Sequence, residues 1–295
     1  MALTLIAVVL SLVLGHIAPG LATWRRYGWF TGWLKHLGSW LGEQIAWRDR
    51  VGLVLGVGLP VVLIAALQWG LGEHYYGLPH FVFALVVLVL SWGPRDLDLD
   101  VDAVIQARDP AARRDAAAAL FPEGGAPTLE GPALVEAVFR CALWRWFGVL
   151  FWFLLLGPAG AVCYRLVALA AQGRAQSLLP PAQGEAAQWI LALLNWPVAH
   201  LMTFAMALAA DFDGVLAAWR DWHAQGGLRL DIGFLGAAAR ASVVCELSEE
   251  DADASDGPAQ APALLELRDA MSLVWRILLL WLAVLAIFVI AGFVN

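Results

Sequence analysis

Polar side chains that could form a ligand site interrupt three otherwise apolar stretches of this 295-residue sequence. They are Tyr164–Arg165, the segment Asn195–His200 around Pro197, and Arg276. An ionisable side chain at the centre of a bilayer costs about 2.5–3.5 kcal/mol on insertion scales, so it usually faces a partner or a cavity. If these stretches cross a membrane, their polar residues therefore indicate a binding site built from helices.

The same residues also have structural interpretations. Arg165 and Arg276 lie close enough to helix ends for their charged tips to reach lipid headgroups. Asn195 can hydrogen-bond a neighbouring helix, and His200 can be a packed histidine with a satisfied ring. The sequence leaves these interpretations open beside the ligand site.

A second group of residues that could bind a ligand is acidic. It consists of four aspartates that alternate with apolar residues over 96–102. Several carboxylates would suit a hard cation. Alternate positions point in nearly opposite directions on a helix, whereas on a strand they share a face that can be solvated. We predict a solvated, half-buried segment and no metal site. The sequence also contains no P-loop, HExxH or GxSxG motif, so we predict no catalytic residue and no cofactor.

Composition points to a membrane as the solvent for most of this chain. Apolar residues make up 61% of it and charged residues 15%, against about 25% charged residues in a soluble domain. A net charge of −7 without a basic patch argues against a nucleic-acid partner. The predicted main partner is therefore the lipid bilayer.

The apolar segments predict an all-α integral membrane protein with about six membrane helices. Val51–Leu71 is a run of 21 uncharged residues, which spans a ~30 Å core at 1.5 Å per residue. The first and fifth segments could be partial, so four to six crossings remain open. A single membrane domain, 1–295, is predicted to contain membrane segments at approximately 1–20, 51–71, 78–93, 144–171, 188–210 and 271–294.

Helical loops are predicted between these segments, at 22–50, 94–143 and 211–270. The first mixes tryptophan with basic residues, as interfacial helices do, and 249–256 is predicted to be a mobile acidic loop. Residues 22–50, 94–145 and 211–270 contain five, six and four Lys or Arg residues, whereas the connections 72–78 and 172–187 contain none and one. By the positive-inside rule, the long loops are expected on the cytoplasmic side of a bacterial inner membrane.

Four motifs in order resemble the AmpE family of inner-membrane proteins, usually encoded beside the AmpD amidase of cell-wall recycling. They are Glu136–Trp152, Gly157–Ala161, Tyr164–Arg165 and Leu194–Pro197. The AmpE family is in turn similar to the CobD/CbiB membrane synthases of cobalamin biosynthesis. The resemblance implies the same order of elements along the chain.

The CobD/CbiB synthases carry an acidic E-x-x-x-E-N-T-x-D stretch before an F-W pair. This chain keeps Glu136 and Phe151–Trp152, but its inner positions are occupied by Arg140, Cys141, Ala142 and Trp144. The carboxylates that could hold Mg²⁺ near a nucleotide phosphate are thus replaced.

The resemblance implies a non-enzymatic regulatory or sensory modulator linked to β-lactamase induction. Its partner would be an anionic small molecule, which clustered arginines would suit, or a protein of cell-wall recycling. A ligase-like enzyme, a small-molecule transporter and a homo-oligomer remain open. The candidate ligand-binding residues are Glu136, Arg140, Arg145, Tyr164, Arg165, Asn195, Trp196 and His200.

Overall fold

Helices account for all regular secondary structure within the described residues of a computed structural model of the chain. The predicted all-α class is therefore confirmed. The structure describes residues 2–17, 25, 27–41, 49–74, 77–93, 96–122, 127–226, 230–253 and 262–291.

The helices range from 4 to 29 residues in length. A 3₁₀ turn covers Ala118–Leu120, and a π-helical turn covers Leu143–Phe147. In chain order the α-helices are α1 (Ala2–Ile17), α2 (Gly28–Leu41), α3 (Val51–His74), α4 (Leu78–Ser91), α5 (Leu97–Gln106), α6 (Pro110–Ala117), α7 (Gly131–Ala142), α8 (Gly148–Leu156), α9 (Pro158–Ala171), α10 (Gly173–Gln176), α11 (Pro181–Ala209), α12 (Phe212–Gly226), α13 (Gly233–Asp253) and α14 (Pro262–Ile290).

Four helices of the described residues are long and apolar enough to cross a membrane. Shorter apolar helices accompany them at Thr4–Gly15, Leu78–Ser91 and Pro158–Ala171. These numbers agree with the predicted range of four to six membrane helices. The four candidate spans are Val51–Leu71, Gly131–Leu156, Pro181–Ala209 and Ala263–Ile290.

The helix bounds differ from the prediction around the fourth apolar segment. We predicted one segment over 144–171, but the candidate span already begins at Gly131 and ends at Leu156. Gly157 then adopts a φ of 71°, a left-handed conformation that suits glycine, and α9 begins at Pro158. Proline lacks the N–H that would continue the helix and disfavours helical backbone in the residue before it. The chain therefore makes two helices here.

Of two acidic segments, the one at 96–102 lies in a loop predicted to be helical, and the one at 249–256 is more helical than predicted. Three of the four aspartates lie in α5, where Asp98 and Asp100 occupy the first turn, and Asp96 precedes the helix. Carboxylates near a helix N-terminus are stabilised by the helix dipole. In the predicted mobile loop 249–256, α13 continues to Asp253, so the first five residues are helical. Residues 254–256 lie outside the described part of the chain.

The contacts within the chain divide it into two compact units. The first contains residues 1–96, 144–194 and 289–295, and the second contains 97–143 and 195–288. Both units include apolar helices from the candidate spans. The single membrane domain over 1–295 therefore stays a prediction.

In the first unit, α9 packs against α3, α4 and α8, while α1 packs against α4. Helix α2 is amphipathic: it buries Phe30 and Leu34, and it exposes Trp29 and Trp40. The Nε1 of Trp33 donates a hydrogen bond of 3.1 Å to the carbonyl of Gly56 on α3. Residues 22–24, 26 and 42–48 of the predicted interfacial segment lie outside the described residues. Its place at the membrane surface stays a prediction.

In the second unit, α13 packs against α12 and α7, and α5 packs against α6 and α7. Phe139 on α7 and Phe234 on α13 are fully buried within it. The Nε1 of Trp275 on α14 donates a hydrogen bond of 2.9 Å to Asp98 Oδ1 on α5. Packing of α7 on α13 brings together the residues described next.

Candidate functional site

A cavity of about 360 Å³ lies among α7, α12 and α13 of the second unit. Its wall combines charged side chains with a tryptophan ring and glycine backbone. Two of its residues, Glu136 and Arg140, are among the candidates that the sequence predicted. The lining residues are Glu136, Arg140, Trp222, Asp231, Ile232, Gly233, Leu235 and Gly236.

Two glycines at the start of α13 let this helix approach its neighbours closely. A Cβ atom added at Gly236 would lie 2.8 Å from Glu136 Cγ, and one at Gly233 would overlap the Trp222 ring. The carboxylate of Asp231 accepts a hydrogen bond of 3.0 Å from the Gly233 amide and so fixes the first turn. The cavity mouth therefore depends on small residues at these two positions.

Glu136 is surrounded by two guanidinium groups. Its Oε2 lies 4.0 Å from Arg140 Nη2, one helical turn along α7, and its Oε1 forms an ion pair with Arg240 on α13. The three side chains are 28–40% exposed, so solvent weakens each pair. The negative charge of the Glu136 carboxylate is therefore compensated by arginines of the same chain, which disfavours binding of a metal cation.

The formal charges around the cavity cancel. Glu136 and Asp231 supply two carboxylates, and Arg140 and Arg240 supply two guanidinium groups. Trp222 adds an aromatic surface with 36% exposure. The described lining residues include no serine, cysteine or histidine, and this set suits binding a small polar molecule with an apolar face.

Trp196 and His200 lie in an aromatic cluster elsewhere in the second unit. The His200 ring centroid is 4.3 Å from that of Trp196 and 4.4 Å from that of Phe234. His200 Nδ1 is 2.8 Å from the Trp196 carbonyl, and His223 Nδ1 is 2.8 Å from the Trp219 carbonyl. A carbonyl accepts, so each Nδ1 must donate.

Arg145, Tyr164 and Arg165 lie together in the first unit. Tyr164 is fully buried against Gly148, where an added Cβ would overlap its ring. Arg145 and Arg165 are also buried, and they are close enough for their charges to interact. These three predicted residues form one group through the packing of α9 on the helix that precedes it.

The structure thus brings the predicted residues together in three groups. Glu136 and Arg140 line the cavity, Trp196 and His200 stack in the aromatic cluster, and Arg145 joins the pair on α9. Asn195 is buried in α11.

Arg240, which pairs with Glu136, was not predicted, and neither were six of the lining residues: Trp222, Asp231, Ile232, Gly233, Leu235 and Gly236. A sequence signal was available for Asp231, Gly233 and Gly236 in the D-x-G-x-x-G pattern over 231–236, where an aspartate precedes two glycines at helical spacing. That spacing puts both glycines on one face of a helix and indicates a close neighbour. Trp222 and Arg240 carry no comparable local signal.

Comparison with protein-family models, curated proteins and solved structures finds no match to this chain. The resemblance to the AmpE family therefore rests on the residues quoted for it above.

Proposed function

We propose that this chain is a non-enzymatic regulatory or sensory modulator of the AmpE type, located in a bacterial inner membrane. In this proposal it binds a small polar ligand in the cavity beside Glu136 and Arg140 and links cell-wall recycling to β-lactamase induction. The long loops face the cytoplasm, where ligands and partners of cell-wall recycling would be met. The candidate spans support residence in a membrane.

The observation that carries this proposal is the environment of Glu136. In the resemblance to the CobD/CbiB synthases this residue takes the place of their first carboxylate, and here Arg140 and Arg240 balance its charge. A metal ion would have to displace both guanidinium groups before it could bind this carboxylate. The same groups can instead hydrogen-bond the carboxylate of a ligand. Binding is thus favoured over Mg²⁺-dependent chemistry.

The form of the cavity suggests which ligand chemistry to test. A volume of about 360 Å³ falls within the usual range of small-molecule sites, roughly 300–1,000 Å³. Arg140 offers donors to a carboxylate, Asp231 offers an acceptor to an amine or amide, and Trp222 offers an apolar face to a sugar ring. A muropeptide fragment carries these three kinds of group.

A β-lactamase induction assay tests the regulatory role. The host strain lacks its own copy of the gene and carries a reporter of β-lactamase induction, and it is complemented with wild type or Arg140→Gln. We expect Arg140→Gln to lose most of the response that wild type restores. Arg114→Gln, the same change at an exposed site on α6, should behave as wild type. Equal membrane amounts of the three proteins are verified by immunoblotting.

A binding assay with purified protein tests the ligand class directly. N-acetylmuramyl tripeptide is the probe, and we expect Arg140→Gln to bind it about tenfold more weakly, the effect of losing one charge-assisted hydrogen bond. Normal induction with Arg140→Gln, or Mg²⁺-dependent ATP consumption by the pure protein, would contradict the proposal. The second result would favour a ligase-like enzyme instead.

A further inference from the structure

The ion pair at Glu136 joins two helices of the second unit through groups that a ligand could separate. Glu136 Oε1 pairs with Arg240 on α13, and Glu136 Oε2 lies 4.0 Å from Arg140 Nη2 on its own helix α7. Glu136 and Arg140 line the cavity. Arg240 is therefore connected to the cavity through the carboxylate of Glu136.

The backbone of α13 determines where this carboxylate lies. Gly236 and Arg240 are one turn apart on α13, so they share a face of the helix. A Cβ added at Gly236 would lie 2.8 Å from Glu136 Cγ and 3.0 Å from its Cδ. The missing side chain thus lets the stem of Glu136 lie against α13, with its carboxylate at Arg240 one turn further along. The packing of the two helices builds this ion pair.

The pair is accessible enough to be exchanged for another. Glu136, Arg140 and Arg240 are all partly exposed to solvent. Ion pairs at such positions add little to stability, whereas one partner of a fully buried pair is costly to remove. A carboxylate from solution can therefore compete with Glu136 while the helices stay packed.

Glu136 offers Arg240 the same chemical group that an acidic ligand would offer. A guanidinium forms strong, often bidentate hydrogen bonds with a carboxylate, and it stays protonated in proteins. A ligand carboxylate placed beside that of Glu136 would be repelled by it, because like charges a few ångströms apart repel each other. The ligand carboxylate is therefore bound best when it replaces the one that the chain supplies.

We propose that Arg240 is a second carboxylate-binding residue of the cavity and that Glu136 occupies its guanidinium until the carboxylate of a ligand takes its place. The inference rests on the proposed function, because it takes the cavity as the ligand site. It adds the regulation of that site, since a group of the chain itself limits the affinity. The exchange also ends the ion pair between α7 and α13, so that ligand binding changes a contact between two helices.

The exchange makes a statement about ligand chemistry that a general charge effect does not make. A ligand without a carboxylate has no group that could replace Glu136 on Arg240. Its affinity should then be independent of the charge at position 136. A probe and its amidated form therefore separate the exchange from other roles of Glu136.

Isothermal titration calorimetry of the purified full-length protein in neutral detergent tests the exchange. The probes are N-acetylmuramyl tripeptide and the same tripeptide with its carboxylates converted to amides. The variants are Glu136→Gln, Glu136→Asp, Arg240→Gln and the double variant of Glu136→Gln with Arg240→Gln. Glu130→Gln is the matched control, because Glu130 is exposed directly before α7 in the same unit and undergoes the same change.

We expect Glu136→Gln to bind the tripeptide about fivefold more tightly than wild type, which corresponds to two exposed ion pairs that the ligand no longer has to break. Glu136→Asp should gain about twofold, because its shorter stem withdraws the carboxylate from Arg240. Glu130→Gln should bind as wild type does. In the Arg240→Gln background, adding Glu136→Gln should change the affinity by less than about twofold, since the guanidinium that it would release is absent. The amidated tripeptide should bind wild type and Glu136→Gln equally.

Two results would overturn the exchange and leave the proposed function intact, because wild type still binds the tripeptide in both. One is that Glu136→Gln and Glu136→Asp bind it no more tightly than wild type, as expected for a purely structural ion pair. The other is that Glu136→Gln gives the same gain in the Arg240→Gln background or with the amidated probe. Absence of binding by wild type and by every variant would refute the exchange and the proposed ligand together.

Discussion

In the first unit, Gln68 on α3 hydrogen-bonds two backbone groups that have no helical partner at the break at Gly157. Its Nε2 donates a hydrogen bond of 3.3 Å to the Leu156 carbonyl, and its Oε1 accepts one of 3.0 Å from the Ala159 amide. Both groups would pair with a neighbouring turn in an unbroken helix. Lipid supplies no substitute partner for either. We therefore expect Gln68→Leu to destabilise the protein.

The expected cost follows from the two bonds. Hydrogen bonds between membrane helices contribute on average about 0.6 kcal/mol each and at most about 1.7. The 3.0 Å bond has ordinary length and the 3.3 Å bond is long, so their sum should fall in the lower half of the possible range. We predict a loss of about 1–1.7 kcal/mol in the free energy of unfolding.

Unfolding by titration with SDS in mixed micelles, followed by tryptophan fluorescence, measures this loss. Gln188→Leu is the matched control, because Gln188 is exposed on α11 in the same unit and undergoes the same change. We expect Gln188→Leu to remain within about 0.5 kcal/mol of wild type. Equal stability of Gln68→Leu and Gln188→Leu would refute the role assigned to this amide.

Two other features of the first unit give predictions that the same assay can check. Gly148→Ala should lose about 1–3 kcal/mol through overpacking, because the new Cβ would overlap Tyr164 Cζ and Oη. Gly70→Ala on α3, where nothing lies within 4 Å, should be neutral or more stable by up to about 1 kcal/mol; similar losses for both would contradict the packing described. Burial raises the pKa of Tyr27 above its ordinary value of 10.0, and the Arg165 charge partly opposes this. The folded protein then holds the proton more tightly, so stability should fall as pH rises above about 10. Tyr27→Phe should flatten that dependence, and an unchanged slope would contradict it.

Apolar patterning predicts the spans well where a helix faces lipid. Val51–Leu71 was predicted with the bounds that the structure gives it, because no charge interrupts the run and the flanking residues are polar. The span Gly131–Leu156 was predicted to start at 144. Its window is 72% buried within the protein, so Arg140 and Arg145 are tolerated inside a helix that hydropathy alone would end.

The candidate site was predicted in part, for a reason that lies in tertiary packing. Glu136 and Arg140 were identified through the resemblance to a family, and both line the cavity. Trp222 and Arg240 come from helices about 80–100 residues further along the chain. Their approach depends on α13 packing against α7 and α12, which no local pattern encodes. Arg25 was seen as part of an interfacial segment, and its burial beside Arg165 could not be predicted from that pattern.

The break at Gly157 also has a consequence for how this chain is made. Leu156 follows Gln68 by 88 residues, so at about 5–20 residues per second the amide is synthesised roughly 4–18 s before the carbonyl it will bind. During that interval the nascent α3 carries a polar group without its final partner. A chain whose translation stops before α9 keeps this group exposed. Membrane quality-control proteases could therefore distinguish incomplete chains from complete ones at this single amide.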